Sequence, residues 1–356
     1  MNYALIMAGG AGTRLWPLSR EKQSKPSLSL YSDQSMFQIA VERLYPLFSP
    51  EQILVVASRE HISDLSAQVP EIPLENYFVE PEGRGTASAI GLAAIHLAKR
   101  DEDATMAVLT ADHHIGKPEV FREVVAAALE FARQDYIVTL GITPTWPSTD
   151  YGYIEQDGPV GEINGHKAYQ TKRFVEKPNQ ASAQTMLSLG HYTWNSGMFI
   201  WKVSVIMKEF EEQMPDLYAS LMRIAEGIGT PAYEEILHPA WSEIAKQTID
   251  YGIMENARNV LVIPINMDWM DVGTWLSLKS LLPMDEKGNN IKGDSLLMNS
   301  ENTLVMGSTR LIAGIGLKDL IIVDTPDALM VCDLNHAGQV RELVKMLKEQ
   351  DRQDLV

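Results

Sequence analysis

The chain opens with a short apolar run, Ala-Leu-Ile-Met at residues 4–7, that is followed at once by a glycine-rich loop. An apolar run of this length, bounded by turn residues, predicts a buried parallel strand. Three glycines then occur within four residues: Gly9, Gly10 and Gly12. Glycine lets a backbone come very close to another group, and the exposed amides of such a loop attract anions. Because Thr13 and Arg14 come next, and arginine adds a fixed positive charge, the pattern predicts a phosphate site after the first strand.

Two common phosphate loops do not fit this sequence. The dinucleotide fingerprint G-x-G-x-x-G, started at Gly10, needs a small residue where Leu15 stands, which argues against a nicotinamide dehydrogenase. The P-loop needs Gly-Lys-Ser/Thr at the point where Arg14 and Leu15 stand. Residues 13–25 carry four positive charges and one negative charge, in a chain whose net charge is −17. This local positive charge favours a phosphate site over the alternative of a glycine turn without a ligand.

The composition limits the partners of the chain. Its 356 residues carry a net charge of −17, and nucleic-acid binding needs a basic face, so we expect no nucleic-acid partner. A single cysteine, Cys332, excludes an intrachain disulfide and a cysteine zinc cluster, and it is typical of a reducing compartment. No apolar run approaches the ~18 residues of a membrane span, and we find no secretory signal. These features predict a cytoplasmic protein with no membrane partner.

Apolar strand-like runs alternate with amphipathic segments along the first part of the chain. The strand-like runs are residues 4–7, 53–57, 76–79, 106–109 and 136–140. The helical segments are residues 36–47, 87–99, 120–133 and a region near 203–228. The alternation predicts an α/β fold, a mostly parallel sheet with helices on both faces. Ligands in such folds bind at the carboxyl ends of the strands.

The pattern changes after about residue 283. Short β-runs, separated by Gly, Asn, Asp and Ser, occur at residues 296–298, 303–306, 310–313, 319–323 and 328–331. Evenly spaced short strands predict a β-solenoid or a small sandwich. Residues 338–349 have apolar side chains on one face and predict a closing helix. We therefore predict two domains, residues 1–283 and residues 284–356.

Two aspartates stand where the ligand edge of the sheet is expected. Asp112 follows the fourth strand-like run, and Asp271 follows another β-like segment. Carboxylates are ligands that hold Mg²⁺ against phosphates, so the pair is a candidate magnesium site. The alternative for each is a helix cap. Zinc at His113 and His114 is disfavoured, because neighbouring side chains of an extended segment point to opposite faces.

Further polar residues follow predicted strands. A loop that returns Lys25 to the same edge would bring its ammonium to a nucleotide phosphate; the alternative is a solvated surface lysine. The segment 80–88, which contains Glu80, Arg84 and Thr86, either contacts a base or ribose or simply caps the next helix.

Two more segments are candidates for the sugar phosphate. Glu176 and Lys177 end a strand-like run; they either bind sugar hydroxyls and a sugar phosphate or form a surface ion pair of little energetic value. Asn195 stands before Ser196 and Gly197, where an amide and a close backbone approach suit a polyol. The alternative there is a plain turn.

Together these segments resemble the mannose-1-phosphate guanylyltransferases, a family of sugar-phosphate nucleotidyltransferases. Five motifs follow the family's order and spacing: Gly9-Gly-Ala-Gly-Thr-Arg-Leu-Trp-Pro-Leu-Ser-Arg20, Phe174-Val-Glu-Lys-Pro178, Trp194-Asn-Ser-Gly197, Asp250-Tyr-Gly-Ile-Met-Glu255 and Trp269-Met-Asp-Val-Gly-Thr-Trp275. The resemblance covers nearly the whole chain and looks like the short form, without an added isomerase domain. It implies a Rossmann-like, mostly parallel mixed sheet with helices on both faces over residues 1–283, the catalytic domain. Residues 284–356 are implied to form a small left-handed β-helix-like segment with a closing helix.

The resemblance also implies a role for each candidate residue. The loop from Gly9 to Arg14 would hold the nucleotide triphosphate, with Arg14 and Lys25 on its phosphates. Asp112 and Asp271 would bind Mg²⁺. The remaining roles are contacts to the mannosyl group by Gly152, Glu176 and Asn195, to the sugar phosphate by Lys177, and to guanine and ribose by Glu80, Arg84 and Thr86.

The implied reaction is transfer of GMP from GTP to mannose 1-phosphate, giving GDP-mannose and pyrophosphate by in-line attack, with no covalent enzyme intermediate. The family habit implies a homodimer. One alternative keeps this chemistry with another nucleoside triphosphate or another hexose or heptose 1-phosphate. The other alternative is a sugar-nucleotide sensor without catalytic activity.

Overall fold

The structure is a computed structural model that describes residues 1–10 and 12–356. Its strands are β1 (Asn2–Met7), β2 (Ile53–Ser58), β3 (Tyr77–Glu80), β4 (Thr105–Thr110), β5 (His113–Ile115), β6 (Ile137–Ile142), β7 (Tyr153–Ile163), β8 (His166–Val175), β9 (Tyr192–Lys202), β10 (Val260–Ile265), β11 (Trp269–Asp271), β12 (Asn290–Lys292), β13 (Ser295–Met298), β14 (Leu304–Met306), β15 (Ile312–Ile315), β16 (Leu320–Asp324) and β17 (Leu329–Asp333). Its α-helices are α1 (Met36–Glu42), α2 (Arg59–Gln68), α3 (Thr86–Arg100), α4 (Pro118–Ala132), α5 (Gln180–Leu189), α6 (Val203–Gln213), α7 (Pro215–Gly227), α8 (Tyr233–Ser242), α9 (Trp275–Leu281) and α10 (Val340–Glu349). None of the helices in the described residues has the length and apolar character that a bilayer crossing requires.

The described chain divides into two compact units, each made of several segments. The first contains Met1–Ala8, Ala40–Ala111 and Ile115–Trp269. The second contains Gly9–Ile39, Asp112–His114 and Met270–Val356. The predicted domains, residues 1–283 and residues 284–356, are continuous segments, whereas the two units alternate along the chain. The domain boundary at residue 283 therefore stays a prediction.

A mixed sheet forms the centre of the first unit. Within the described residues its strand order is β3-β2-β1-β4-β9-β6-β10-β8-β7. The neighbours from β3 to β4 are parallel, as are β6 and β10, whereas β9 runs antiparallel to β4 and β6. Strands β10, β8 and β7 are also antiparallel neighbours. The predicted α/β class with a mixed sheet is confirmed, and its parallel part includes β1, the strand before the glycine loop.

Both faces of this sheet are covered. Tyr3 and Leu5 of β1 pack in a cluster with apolar residues of α3, α6 and α7. Because successive strand side chains point to opposite faces, Ala4 and Ile6 point away from that cluster. They too are buried, with at most 1% of their surface exposed, so the sheet is covered on both sides at β1. Burial of this kind is the main source of folding free energy.

The second unit contains a coil of short strands. Parallel pairs join β12, β14 and β16 in one sheet and β13 with β15 in another, and β17 pairs antiparallel with β16. Parallel strands that recur at short sequence intervals form a solenoid, so the β-helix-like prediction is confirmed and the sandwich alternative is wrong. Leu15 and Trp16, which follow the glycine loop, pack in one cluster with Trp275 and with Val323 of β16. The left-handed sense of the coil stays a prediction.

The helical and strand predictions differ from the structure in places that have a physical reason. The helical region predicted near residues 203–228 contains two helices, α6 and α7, because Pro215 lacks the amide that a continuous helix would need. Of the long hairpin of β7 and β8, the sequence predicts only the strand-like run that Glu176 and Lys177 end. Only the first three residues of β7 are buried, and residues 157–160 are exposed and include a glycine and a proline, so β7 lacks the continuous apolar pattern that identifies a buried strand.

Candidate active site

The glycine loop lies in the second unit, and its geometry requires glycine. Gly12 has φ +58°, and a Cβ atom there would lie 2.8 Å from the Cβ of Lys25 and 3.3 Å from that of Ser19. Gly10 has φ +105° and is exposed. A backbone in this conformation, with small exposed residues, leaves amides accessible to an anion. The predicted anion cradle therefore has a suitable local geometry, and its ligand stays a prediction.

Lys25 joins the two aspartates that were predicted as metal ligands. Its Nζ lies 2.7 Å from Oδ2 of Asp112 and 3.4 Å from Oδ1 of Asp271. The lysine side chain is only 6% exposed, whereas the aspartates are 35% and 30% exposed. Residues that are far apart in sequence thus place two accessible carboxylates around one buried ammonium.

Arg14 lies next to the same cluster. A Cβ atom on Gly273 would lie 3.0 Å from Oδ2 of Asp271 and 3.3 Å from Nη2 of Arg14. The carboxylate and the guanidinium therefore both border the α-carbon of Gly273, and a Cβ atom there would require both side chains to shift. Within the second unit, the structure brings together Arg14, Lys25, Asp112 and Asp271.

The positive charge of Lys25 stabilises the ionised form of Asp112. Burial opposes ionisation of Asp112, but the Lys25 ammonium and the hydrogen bond from it outweigh burial and hold the pKa of Asp112 well below its usual range. His113 Nε2 also lies 3.9 Å from Oδ1 of Asp112. Asp112 is therefore a carboxylate at neutral pH, which is the form that binds a cation.

The two carboxylates suit Mg²⁺ better than they suit a metal ion whose ligands all come from protein side chains. In the described part of the chain, no cluster of three or more His, Cys, Asp or Glu side chains is arranged to hold a metal ion. Mg²⁺ is usually bound by one or two carboxylates together with water and substrate phosphates. Asp112 and Asp271, both partly exposed, supply that number of protein ligands, so this donor set suits a metal that arrives with a phosphate.

The predicted sugar residues come together in the first unit. A Cβ atom on Gly152 would lie 2.5 Å from Oε2 of Glu176 and 3.5 Å from the Cβ of Asn195. The backbone N–H of Asn195 donates to the carbonyl of Gly152 at 2.8 Å. Gly152 comes directly before β7, Glu176 comes directly after β8, and Asn195 lies inside β9. The strand pairing therefore determines their common location.

Lys177 and Asp250 extend this group. Lys177 forms an ion pair with Glu176 and has φ +42°, and the hydrogen bond to Glu176 raises the pKa of the lysine. Asp250 accepts a hydrogen bond from Nδ2 of Asn195 at 2.6 Å. Asp250 was not a predicted site residue, although one of the five motifs begins with it.

The predicted base and ribose residues differ in whether their side chains already bind other residues of the first unit. Glu80, at the end of β3, is 8% exposed, and burial raises its pKa to about 7. Arg84 instead pairs with Glu82 and donates to the carbonyls of Ile244 and Ser242. Arg84 thus binds a neighbouring segment of its own unit, and its contact with a nucleotide stays a prediction.

Thr86 also has a partner within the first unit. Its hydroxyl oxygen accepts a hydrogen bond from the backbone N–H of Ile249 at 2.9 Å, and it is the first residue of α3. The helix-cap alternative therefore does not describe its side chain. Ser88 donates to the carbonyl of Gly85 at 2.9 Å and is the residue that bonds to the start of the helix.

Comparison with known proteins assigns the chain to a family. A family model described as nucleotidyl transferase matches residues 3–288. The chain belongs to the nucleotidyl transferase family. A second model, described as the MannoseP isomerase/GMP-like beta-helix domain, matches residues 293–347. This nucleotidyltransferase is 36% identical over 353 residues to the mannose-1-phosphate guanylyltransferase of Klebsiella pneumoniae, covering 98% of this chain and 74% of the relative.

Further members of the family are similar over the same extent. The mannose-1-phosphate guanylyltransferase of Escherichia coli strain K12 is 34% identical over 362 residues, covering 99% of this chain and 74% of the relative. A crystal structure described as mannose-1-phosphate geranyltransferase from Thermus thermophilus superposes with a TM-score of 0.85 at 33% identity, covering 98% of this chain and 99% of that one. The resemblance recognised from the five motifs is confirmed, and the chain is a nucleotidyltransferase.

Proposed function

We propose that this nucleotidyltransferase transfers GMP from GTP to α-D-mannose 1-phosphate, giving GDP-mannose and pyrophosphate. The observation that carries the proposal is the cluster in which the Lys25 ammonium is bound by both Asp112 and Asp271. Such a cluster combines a cation for phosphate with two ligands for a metal. Relatives that are named mannose-1-phosphate guanylyltransferase and match 98% of the chain support the choice of sugar phosphate and nucleotide.

The proposed step is an in-line displacement at phosphorus. A phosphate oxygen of mannose 1-phosphate attacks the α-phosphorus of GTP, and the bond from that phosphorus to the bridging oxygen breaks, so that pyrophosphate leaves. No protein nucleophile is needed, because the attacking phosphate is already ionised. Catalysis then consists of positioning and of neutralising charge at phosphorus.

The predicted phosphate, metal and sugar residues each have a task in this step. Asp112 and Asp271 would hold Mg²⁺, which neutralises negative charge on phosphate oxygens when it is bound. Arg14 and Lys25 bind the nucleotide phosphates, and Lys177 binds the sugar phosphate. The mannosyl hydroxyls meet the Glu176 carboxylate and the Asn195 amide, with Gly152 leaving room beside them.

Glu80 supports the choice of base. Its carboxyl is 8% exposed, and burial is the cause that raises its pKa. Guanine presents two adjacent N–H donors on its Watson–Crick edge, which match the two oxygens of one carboxylate. Adenine presents an acceptor at one of these positions, so a carboxylate there favours guanine.

A substrate panel tests the proposal. Pyrophosphate release is measured for GTP, ATP, UTP and dTTP, each with the 1-phosphates of mannose, glucose and a heptose. The highest kcat/KM is expected for GTP with mannose 1-phosphate. A higher value for another pair would change the substrates and keep the chemistry, whereas tight GDP-mannose binding without turnover would support a sugar-nucleotide sensor.

A homodimer and a cytoplasmic location are further proposals. Exposed apolar side chains on paired strands of the β-helical coil support the dimer: Leu296 is 67% exposed, Met298 52% and Ile315 69%. Light scattering after size-exclusion chromatography would give twice the chain mass for the dimer. The unpaired thiol of Cys332 suits a reducing compartment, and fractionation of cells with an antibody to the chain tests the location.

A further inference from the structure

Asp250 contacts a predicted sugar residue from a segment to which the proposed reaction assigns no part. It begins a π-helical turn, Asp250–Met254, in the first unit. Its Oδ1 accepts the hydrogen bond from Nδ2 of Asn195 at 2.6 Å, a short distance for a bond to a charged acceptor. Burial raises the pKa of the Asp250 carboxyl, and the hydrogen bond from Asn195 opposes that rise.

Two hydrogen bonds determine which way the Asn195 amide points. The backbone N–H of Gly197 donates to Oδ1 of Asn195 at 3.0 Å. A carboxylate can only accept hydrogen bonds, so Asp250 requires the NH₂ group on its own side. A flipped amide would bring oxygen against oxygen at Asp250 and N–H against N–H at Gly197. The observed orientation leaves the second N–H of Asn195 available as a donor.

Asp250 is itself held from two sides. The residue before it, Ile249, donates its backbone N–H to the hydroxyl of Thr86 at 2.9 Å. Within the turn, a Cβ atom on Gly252 would lie only 2.5 Å from Sδ of Met214, so the turn packs closely against the corner between α6 and α7. These contacts prevent Asp250 from moving freely with Asn195.

We propose that Asp250 is a positioning residue, which orients the Asn195 amide so that its remaining N–H donates to a hydroxyl of the sugar phosphate. The inference rests on the proposed function and adds a residue to it. Asp250 acts through Asn195, so removal of its carboxylate weakens binding of the sugar phosphate and leaves binding of the nucleotide unchanged. If Asp250 had only a structural role, its removal would instead lower the stability of the protein or weaken binding of both substrates.

Three variants test this role: Asp250→Ala, Asn195→Ala and the double variant. We expect KM for mannose 1-phosphate to rise about tenfold in Asp250→Ala, as is typical for loss of a hydrogen bond to a charged group, with KM for GTP within about twofold of wild type. Residues that act as one unit are not additive. The double variant is therefore expected to equal Asn195→Ala. Multiplicative effects of the two substitutions, or an unchanged KM for mannose 1-phosphate in Asp250→Ala, would overturn the inference.

A matched control separates positioning from stability. Asp324 of β16, in the second unit, is a buried carboxylate that pairs with Arg310, whose Nε lies 3.0 Å from it. Asp324→Asn should lower the melting temperature without changing KM for mannose 1-phosphate. Calorimetric binding of GDP-mannose to the same variants gives a readout without turnover. A wild type that binds but does not turn over contradicts the proposed function alone, and a wild type that does neither contradicts both.

Discussion

Replacing Asp112 with asparagine tests the proposed metal site most directly. The change keeps the shape of the side chain but removes one of the two carboxylate charges, which lie 2.7 and 3.4 Å from Nζ of Lys25. The lost interaction is the one between the Asp112 carboxylate and a cation bound beside it. Two unit charges about 4 Å apart interact by roughly 4 kcal/mol at an effective dielectric constant of about 20. The amide dipole retains part of this interaction. We therefore expect a loss of about 3 kcal/mol in transition-state stabilisation, or about a hundredfold in kcat.

The assay measures pyrophosphate release at saturating GTP and mannose 1-phosphate while the Mg²⁺ concentration is varied. Asp112→Asn should lower kcat and raise the Mg²⁺ concentration needed for half-maximal rate. Asp268→Asn is the matched control, since Asp268 is an exposed carboxylate that pairs with Lys117 at 3.0 Å and takes no part in the cluster. An Asp112→Asn variant with the kcat and Mg²⁺ dependence of wild type would refute the metal assignment.

Three other substitutions test the remaining parts of the site. Gly152→Ala should raise KM for mannose 1-phosphate about tenfold in steady-state assays, because its Cβ would lie 2.5 Å from Oε2 of Glu176 and displace that carboxylate; an unchanged KM would argue against a sugar contact there. Because burial raises the pKa of Glu80 to about 7, its carboxylate forms only as the pH rises through that value. KM for GTP should therefore fall between about pH 6 and 8 in wild type and stay flat in Glu80→Gln, and parallel profiles would contradict the base contact. Glu155 accepts from Lys172 at 2.7 Å and from Tyr192 at 2.8 Å, so Glu155→Gln should lower the free energy of unfolding in urea by about 1–3 kcal/mol, and no change would show that this network is not stabilising.

The sequence predicted part of the charged cluster, because Asp112 and the glycine loop follow neighbouring parallel strands. Asp112 comes directly after β4 and the glycine loop directly after β1, and parallel neighbours end at the same edge of a sheet. Lys25 and Asp271 belong to other segments. Spacing alone did not determine that the lysine would lie between the two acids, because that contact depends on tertiary packing of the second unit.

The proposed role of Asp250 in orienting Asn195 was not predictable for a different reason. It lies in a π-helical turn, a conformation that no apolar periodicity identifies and that is frequent at functional sites. Its partner, Asn195, is inside β9 and is distant in sequence. The hydrogen bond between them is a product of the assembled first unit. Most of the hairpin of β7 and β8 was not predicted either, since its residues lack a continuous apolar pattern.

The charge balance of the cluster gives a reason for the proposed metal. Lys25 and Arg14 supply two positive charges, and Asp112 and Asp271 supply two negative charges that lie within reach of the same ammonium. The four side chains therefore carry no net charge with which to neutralise a triphosphate, in a chain whose net charge is −17. A nucleotide that brought a divalent cation would give both carboxylates a positive partner in place of Lys25, whose ammonium would then be available to phosphate oxygens. In the proposed reaction the two acids would act through that cation, whereas without it they would repel the substrate.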